Sequence, residues 1–263
     1  MNKIKKIAFL VFLIIFIFLI NYLWVDKLLA QNFSEFSDKT ETFVQKVIDG
    51  DTIRTTDGTV RLLGINSPER NEDYYSGAKK FLEDLILNKT VELKFSGDRK
   101  DMYDRTLAYV FFENKNIGLI LVEQGFANNY FPSTKDNFYK DFKQAWENCI
   151  ASGKNLCGKS KNICTNCIIL KKFDYKNQEI KFYNQCDFAC ELENWEIKDE
   201  GRKKFIFPKF SLNPKKSVVV RVGKGYKNNE NLFWENEDYV WTNSGDTLFL
   251  RDGDGKLVLW ESY

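Results

Sequence analysis

The 263-residue sequence predicts an α+β protein in three parts: an N-terminal transmembrane helix, an OB-fold β-barrel with helices, and a C-terminal β-sandwich. Three observations carry that expectation. Residues 7–25, IAFLVFLIIFIFLINYLWV, contain no charge. Residues 41–160 read as three short strands, a helix, two strands and two helices, an order that suits a small closed barrel. From residue 165 onward, apolar and polar residues alternate between turn signals and the helical period is lost, as in a sandwich.

The uncharged stretch of residues 7–25 makes about 28 Å of helix, close to the thickness of a bilayer's hydrocarbon. Lys3, Lys5 and Lys6 precede it, so the positive-inside bias places the N-terminus in the cytoplasm and the remainder outside. The alternative is a cleaved signal peptide, whose apolar region is here unusually long and whose −3 position before Ala30 is Leu28 rather than a small residue. Both readings export the chain: residues 1–30 are a membrane anchor or signal segment, leaving a membrane-attached extracytoplasmic protein or a secreted one. Residues 31–40, QNFSEFSDKT, are polar and aperiodic and read as a stalk.

The barrel is expected over residues 41–160. TFVQKVI, DTIRTT and TVRLLGI are β-branched runs separated by the Asp49-Gly50 and Asp57-Gly58 turns, an antiparallel meander. SGAKKFLEDLILNK, with Phe81, Leu82, Leu85 and Ile86 on one face, reads as a helix, and TVELKF and RTLAYVFF as strands. A short helix lies in IGLILVEQG and a longer one at 137–152, where Phe138, Phe142, Ala145, Trp146 and Cys149 share a face. The sandwich is expected over 165–263, with Trp195 in its core and RDGDGK as a hairpin turn rather than a calcium loop.

Composition narrows the chemistry. Histidine is absent, which excludes Ser-His-Asp hydrolysis, His-ligated zinc proteases and His-based nucleases. Net charge is only +2 and no segment forms a polybasic footprint. All six cysteines, Cys149, Cys157, Cys164, Cys167, Cys186 and Cys190, follow residue 148. In an exported chain an even number favours disulfides over a structural zinc held by CTNC and CDFAC, and the spacing does not fix the pairing, a local bridge such as Cys186 to Cys190 included.

The motifs IDGDT, RLLGINSPE, DMYDRTLAYV and LVEQGFA, in this order, resemble those of the staphylococcal nuclease family over residues 42 to about 157. The resemblance implies hydrolysis of phosphodiester bonds in DNA or RNA, and aromatic rings for stacking suit a single-stranded or frayed strand as partner. It implies that Glu69 activates water, that Arg61 and Arg105 grip the phosphate, and that Asp51, Asn66 and the Ser67 carbonyl hold Ca²⁺. Tyr103 matches a position near the nucleotide phosphate, and Tyr130 a ring near the base. The residue types suit the reaction independently. Guanidinium groups donate paired hydrogen bonds to the oxygens that gain charge as phosphorus becomes five-coordinate, and a hard cation with oxygen ligands neutralises and orients the phosphate. Position 66 departs from the family, which generally has Asp there; Asn removes a charge and implies weaker calcium binding.

Residues EIKFYNQCDFACELENWEIKDEGRKKFIFPKFSLNPKKSVVVRVG and SGDTLFLRDGDGKLV resemble a lamin-tail domain, which implies an immunoglobulin-like sandwich with a binding or positioning role and no catalytic set. Two rival functions stand beside the nuclease: a non-catalytic nucleic-acid or cell-surface binding protein that keeps the barrel, and an adhesive envelope protein organised by the sandwich.

Overall fold

A computed structural model describes residues 39–132 and 135–263. The predicted anchor and most of the predicted stalk lie outside the described residues. Among the described residues no helix is long and apolar enough to cross a membrane. Strand β1 (Lys39–Asp49) begins inside the stretch read as stalk.

β1 is followed by β2 (Thr52–Thr55), β3 (Gly58–Leu62) and β4 (Gly64–Asn66), then helix α1 (Tyr75–Ile86) and strands β5 (Thr90–Lys94), β6 (Thr106–Phe112) and β7 (Lys115–Asn116). Helix α2 (Ile117–Glu123), strand β8 (Asn128–Tyr130) and helix α3 (Tyr139–Ser152) complete the first domain. The sheet runs β3-β2-β1-β5-β6-β7 and closes through a parallel β3–β6 pairing, so five strands form the expected barrel. β1 serves both neighbours because register shifts near Val44–Lys46 and Val47–Asp49 bend it, pairing its first half with β5 and its second with β2. α1 buries Ala78, Leu82 and Ile86 at helical spacing. The Asn116 side chain caps α2 by accepting from the Gly118 and Leu119 N–H groups, a contact of about 1 kcal/mol in typical helices.

The run read as one strand through Ile65 is two. At Gly64, φ is +78° and a Cβ would lie 2.7 Å from a Phe142 ring carbon, so the chain leaves the barrel where only glycine fits. It then pairs as β4 with β8, a three-residue, non-local match that no periodicity announces.

The second domain holds β9 (Ile168–Asp174), β10 (Glu179–Asn184), β11 (Cys190–Glu191), β12 (Glu196–Lys198), β13 (Lys204–Ile206), β14 (Ser211–Leu212), β15 (Ser217–Val222), β16 (Asn231–Trp234), β17 (Thr247–Arg251) and β18 (Leu257–Ser262). Two four-stranded sheets, β16-β15-β10-β9 and β13-β12-β17-β18, carry a core that includes Trp195, Phe182, Phe207 and Trp241, and RDGDGK is the β17–β18 turn. All six cysteines form disulfides: Cys149–Cys157 within the end of the barrel domain, and Cys164–Cys190 and Cys167–Cys186 at the start of the sandwich. The zinc alternative is thereby set aside. The pairing, which the sequence left open, is not a local Cys186–Cys190 bridge: each of these cysteines crosses to the segment that precedes β9.

The sandwich is packed onto the barrel. Phe249 and Leu257 belong to the barrel's core, and Trp146 of α3 meets Phe249 and Trp260 edge-on at 5.3 and 6.3 Å between ring centres. Residues 158–160 run beside β18, with Leu257 N–H donating to Gly158 and Ser160 N–H donating to Leu257.

Candidate active site

The parallel β3–β6 seam sets Val60 against Thr106 and Arg61 against Leu107, which brings Arg105 at the entry to β6 to the barrel end where Arg61 stands. The Asp49-Gly50 turn delivers Asp51 to the same end. A Cβ on Gly50 would fall 2.7 Å from Ser67 Cβ and 2.8 Å from Ala78 Cβ, so glycine is what lets the turn nest beneath the segment after β4.

Asp51, Arg61, Asn66 and Ser67 form one buried cluster. Asp51 Oδ2 accepts from the Ser67 N–H at 2.8 Å and from its hydroxyl at 3.0 Å, and lies 3.1 Å from Arg61 Nη2. The Thr52 hydroxyl donates to Asp51 Oδ1 at 3.1 Å. Arg61 also donates to the Leu62 carbonyl at 2.7 Å and to Asn66 Oδ1 at 3.2 Å. The guanidinium therefore bridges Asp51 and Asn66, the two side chains expected to hold calcium. Ser67 meets Asp51 through donors, not through its carbonyl. Nearby, burial and then the Asp51 charge push the Asp49 carboxyl above its ordinary range.

The donor set is oxygen only, an Asp carboxylate, an Asn amide and a Thr hydroxyl, and its chemistry fits a hard cation with a single charged ligand. Among the described residues no three His, Cys, Asp or Glu side chains converge on one point. A cation between Asp51 and Asn66 requires Arg61 to turn outward.

Glu69, Arg105, Tyr103 and Tyr130 flank this cluster. Arg105 Nε pairs with Asp101 Oδ2 at 2.7 Å, and its guanidinium lies 5.4 Å from the centre of the exposed Tyr103 ring. Tyr130 is brought alongside by β4–β8 pairing, and burial raises its hydroxyl's pKa against the pull of Arg61. Arg61, Tyr103, Arg105 and Tyr130 line one cavity of about 410 Å³.

The sandwich forms the opposite wall, through the turn between β12 and β13. Asn66 Nδ2 donates to the Gly201 carbonyl at 2.7 Å, and Arg202 Nε lies 2.6 Å from Glu69 Oε1. Glu69 N–H donates to Glu72 Oε2 at 2.9 Å, and Glu72 in turn pairs with Lys198 and Lys204 at 3.0 and 3.1 Å. Against a burial penalty, Lys198, the Glu69 N–H and Lys204 hold the Glu72 carboxyl down to about 2. Glu69 is thus held at its backbone and at its carboxylate by groups that reach back to the sandwich. Behind the turn, Asp199, Glu200 and Asp246 are buried; burial raises them to about 7, 8 and 6, and for Asp199 and Glu200 the neighbouring Asp246 charge adds to the rise. The sequence offers one hint of this wall, the charged turn DEGRKK between two strand runs, and nothing in it connects that turn to residues 66 and 69.

A barrel whose end gathers two arginines beside a carboxylate and oxygen donors presents the groups that phosphate chemistry uses. Comparison with known families and proteins assigns the chain. The profile of the family described as Staphylococcal nuclease homologue matches residues 59–157, and that of the Lamin Tail Domain matches residues 165–263. An uncharacterized endonuclease of Haemophilus influenzae is 40% identical over 124 residues, spanning 45% of this chain and 67% of that protein. The thermonuclease of Staphylococcus intermedius is 33% identical over 112 residues, 39% of this chain and 67% of that protein. The SPbeta prophage-derived endonuclease YokF of Bacillus subtilis is 36% identical over 118 residues, 39% of this chain and 40% of that protein. The chain belongs to the staphylococcal nuclease family, with a lamin-tail domain following the nuclease domain, and nuclease activity is supported at the level of the family.

Proposed function

We propose that the chain is an exported, calcium-dependent nuclease that hydrolyses phosphodiester bonds of DNA or RNA. The observation that carries this reading is the shared cavity of Arg61 and Arg105, with Glu69 held at its edge by Arg202. Glu69 takes a proton from water as the water oxygen bonds to phosphorus. The bond from phosphorus to the leaving sugar oxygen breaks on the opposite side, and solvent supplies that oxygen's proton. Arg61, turned from Asp51 and Asn66 toward the substrate, and Arg105 donate to the phosphate oxygens on which charge accumulates. Calcium, when bound near Asp51 and Asn66, supplies further neutralisation of that charge.

Degradation of plasmid and single-stranded oligonucleotide by the full chain, with calcium and with chelator, tests this reading. Activity is expected with calcium and not with chelator. Glu69→Gln is expected to lower turnover by about 10² to 10⁴, the range for a lost general base. Full activity in Glu69→Gln moves the base elsewhere, and activity indifferent to chelator removes the metal. A second reading, a non-catalytic binding protein, draws support from the way Arg61 occupies both candidate calcium ligands; binding of the oligonucleotide without cleavage in calcium selects it. Export is tested by a reporter fused after residue 160, expected to be active only outside the cytoplasm.

A further inference from the structure

The two walls of the site cavity carry the same pair of groups. On the barrel side the Arg105 guanidinium lies 5.4 Å from the centre of the Tyr103 ring, which is 71% exposed. On the sandwich side the Lys203 ammonium lies 5.6 Å from the centre of the Tyr239 ring, which is 44% exposed. All four residues line the one cavity, together with Arg61 and Arg202. An exposed aromatic face with a cation at its side is the unit from which single-stranded nucleic-acid grooves are built: the ring stacks a base and the cation tracks the phosphates.

We propose that the lamin-tail domain supplies a second nucleotide subsite of the nuclease, in which Tyr239 stacks the base next to the cleaved linkage and Lys203 and Arg202 take that nucleotide's phosphate. The proposal rests on the nuclease reading and extends it to the substrate. It assigns the sandwich a ligand, the same unpaired strand that the barrel holds, rather than a separate partner.

The acidic residues of this wall do not oppose it. Asp199 Oδ1 accepts from Lys203 N–H, Glu200 Oε1 from Phe131 N–H, and Asp246 Oδ1 from the Glu200 and Thr247 N–H groups. These carboxyls are buried and their oxygens are occupied by N–H groups that shape the turn. The cations of the turn are the exposed Arg202, paired with Glu69 at 2.6 Å, and the half-buried Lys203, which donates to the Tyr239 carbonyl and lies 3.4 Å from Glu237; both exchange these partners for the phosphate. The wall is also fixed in place. Gly201 is bound to Asn66, Glu200 accepts from the Asn128 side chain through its carbonyl, and Ser244 donates to the Pro132 carbonyl. A cavity of about 410 Å³ lies within the roughly 300 to 1,000 Å³ of small-ligand sites, room on the scale of a nucleotide and not of a duplex.

The test uses the full chain and a fluorescein-labelled oligothymidylate. Cleavage gives KM and kcat, and anisotropy in a Glu69→Gln background gives Kd. Tyr239→Ala is expected to raise KM and Kd about 10-fold, as loss of one stacked base does, with a smaller change in kcat. Lys203→Ala adds to it, and Tyr239→Phe, which keeps the ring, restores binding. Tyr226→Ala, an exposed tyrosine outside the cavity, serves as the control and leaves both constants unchanged. If the wild type cleaves and Tyr239→Ala keeps KM and Kd within twofold, the subsite is overturned while the nuclease reading stands. If the wild type binds and does not cleave, the nuclease reading fails and the Kd comparison alone decides the subsite.

Discussion

Asn66 has partners in both domains: its amide oxygen accepts from Arg61 and its amide nitrogen donates to Gly201 of the sandwich. A carboxylate accepts but cannot donate, so the amide at position 66 is what lets a backbone carbonyl dock against it. Asn66→Asp is therefore expected to act in two directions. The added charge shifts the calcium dependence of activity to lower concentration, and the lost donor, with a buried carboxylate facing a carbonyl, lowers stability by about 1–3 kcal/mol. Calcium titration of cleavage and thermal melting read the two separately. An unmoved calcium midpoint removes residue 66 from the ligand set, and an unmoved melting temperature shows that its bond to Gly201 contributes nothing net. Arg61 is as tightly engaged, with Asp51 at 3.1 Å in a buried pair. Truncating either partner of such a pair commonly costs about 3–5 kcal/mol, so loss of activity in an Arg61 variant is interpretable only beside its melting curve.

Among the elements, the turn between β1 and β2 and the β3–β6 seam bear on the site most directly. The first is legible as Asp-Gly between two β-branched runs, and its glycine is required by the close approach of Ser67 and Ala78, not by a left-handed backbone. Gly50→Ala is expected to cost about 1–3 kcal/mol through overpacking and to pull Asp51 from its bonds to Ser67, lowering turnover more than the stability loss accounts for. Wild-type melting and turnover in Gly50→Ala together would mean that the turn has slack that its geometry does not suggest. The seam belongs to closure. Arg61 and Arg105 are 44 residues apart in sequence, and it is the parallel pairing of Arg61 with Leu107 that makes them neighbours.

For the whole molecule, the domain interface is titratable. Asp199, Glu200 and Asp246 have ordinary values of 3.8, 4.5 and 3.8, and burial raises them to about 7, 8 and 6 in the folded chain. Folding thus increases their affinity for protons. The stability that they contribute is complete below the ordinary values and is lost as pH rises through about 6 to 8. The cations Lys198 and Lys203 near these carboxyls temper the loss without changing its sign. Melting temperatures are expected to fall from pH 5 to pH 9 and the fall to be shallower in Glu200→Gln, which keeps a neutral acceptor for the Phe131 N–H. A pH-independent melt, or an identical slope in the variant, excludes this interface as the titrating element.

The sequence by itself determined the local matters. The barrel strands and the one-sided helices follow from periods of two and 3.6. The disulfide chemistry follows from six cysteines in a chain read as exported, and the candidate residues Asp51, Arg61, Glu69 and Arg105 follow from motifs that resemble those of the staphylococcal nuclease family. Tertiary structure decided what depends on closure and docking. It split the run after Leu62 at Gly64, paired Cys164 with Cys190 and Cys167 with Cys186, and set Gly201 and Arg202 against Asn66 and Glu69. The physical reason is range. Periodicity and turn chemistry act between residues a few positions apart, whereas Asn66 and Gly201 are separated by 135 residues. They meet only because Trp146, Phe249, Leu257 and Trp260 join the barrel and the sandwich in one apolar contact.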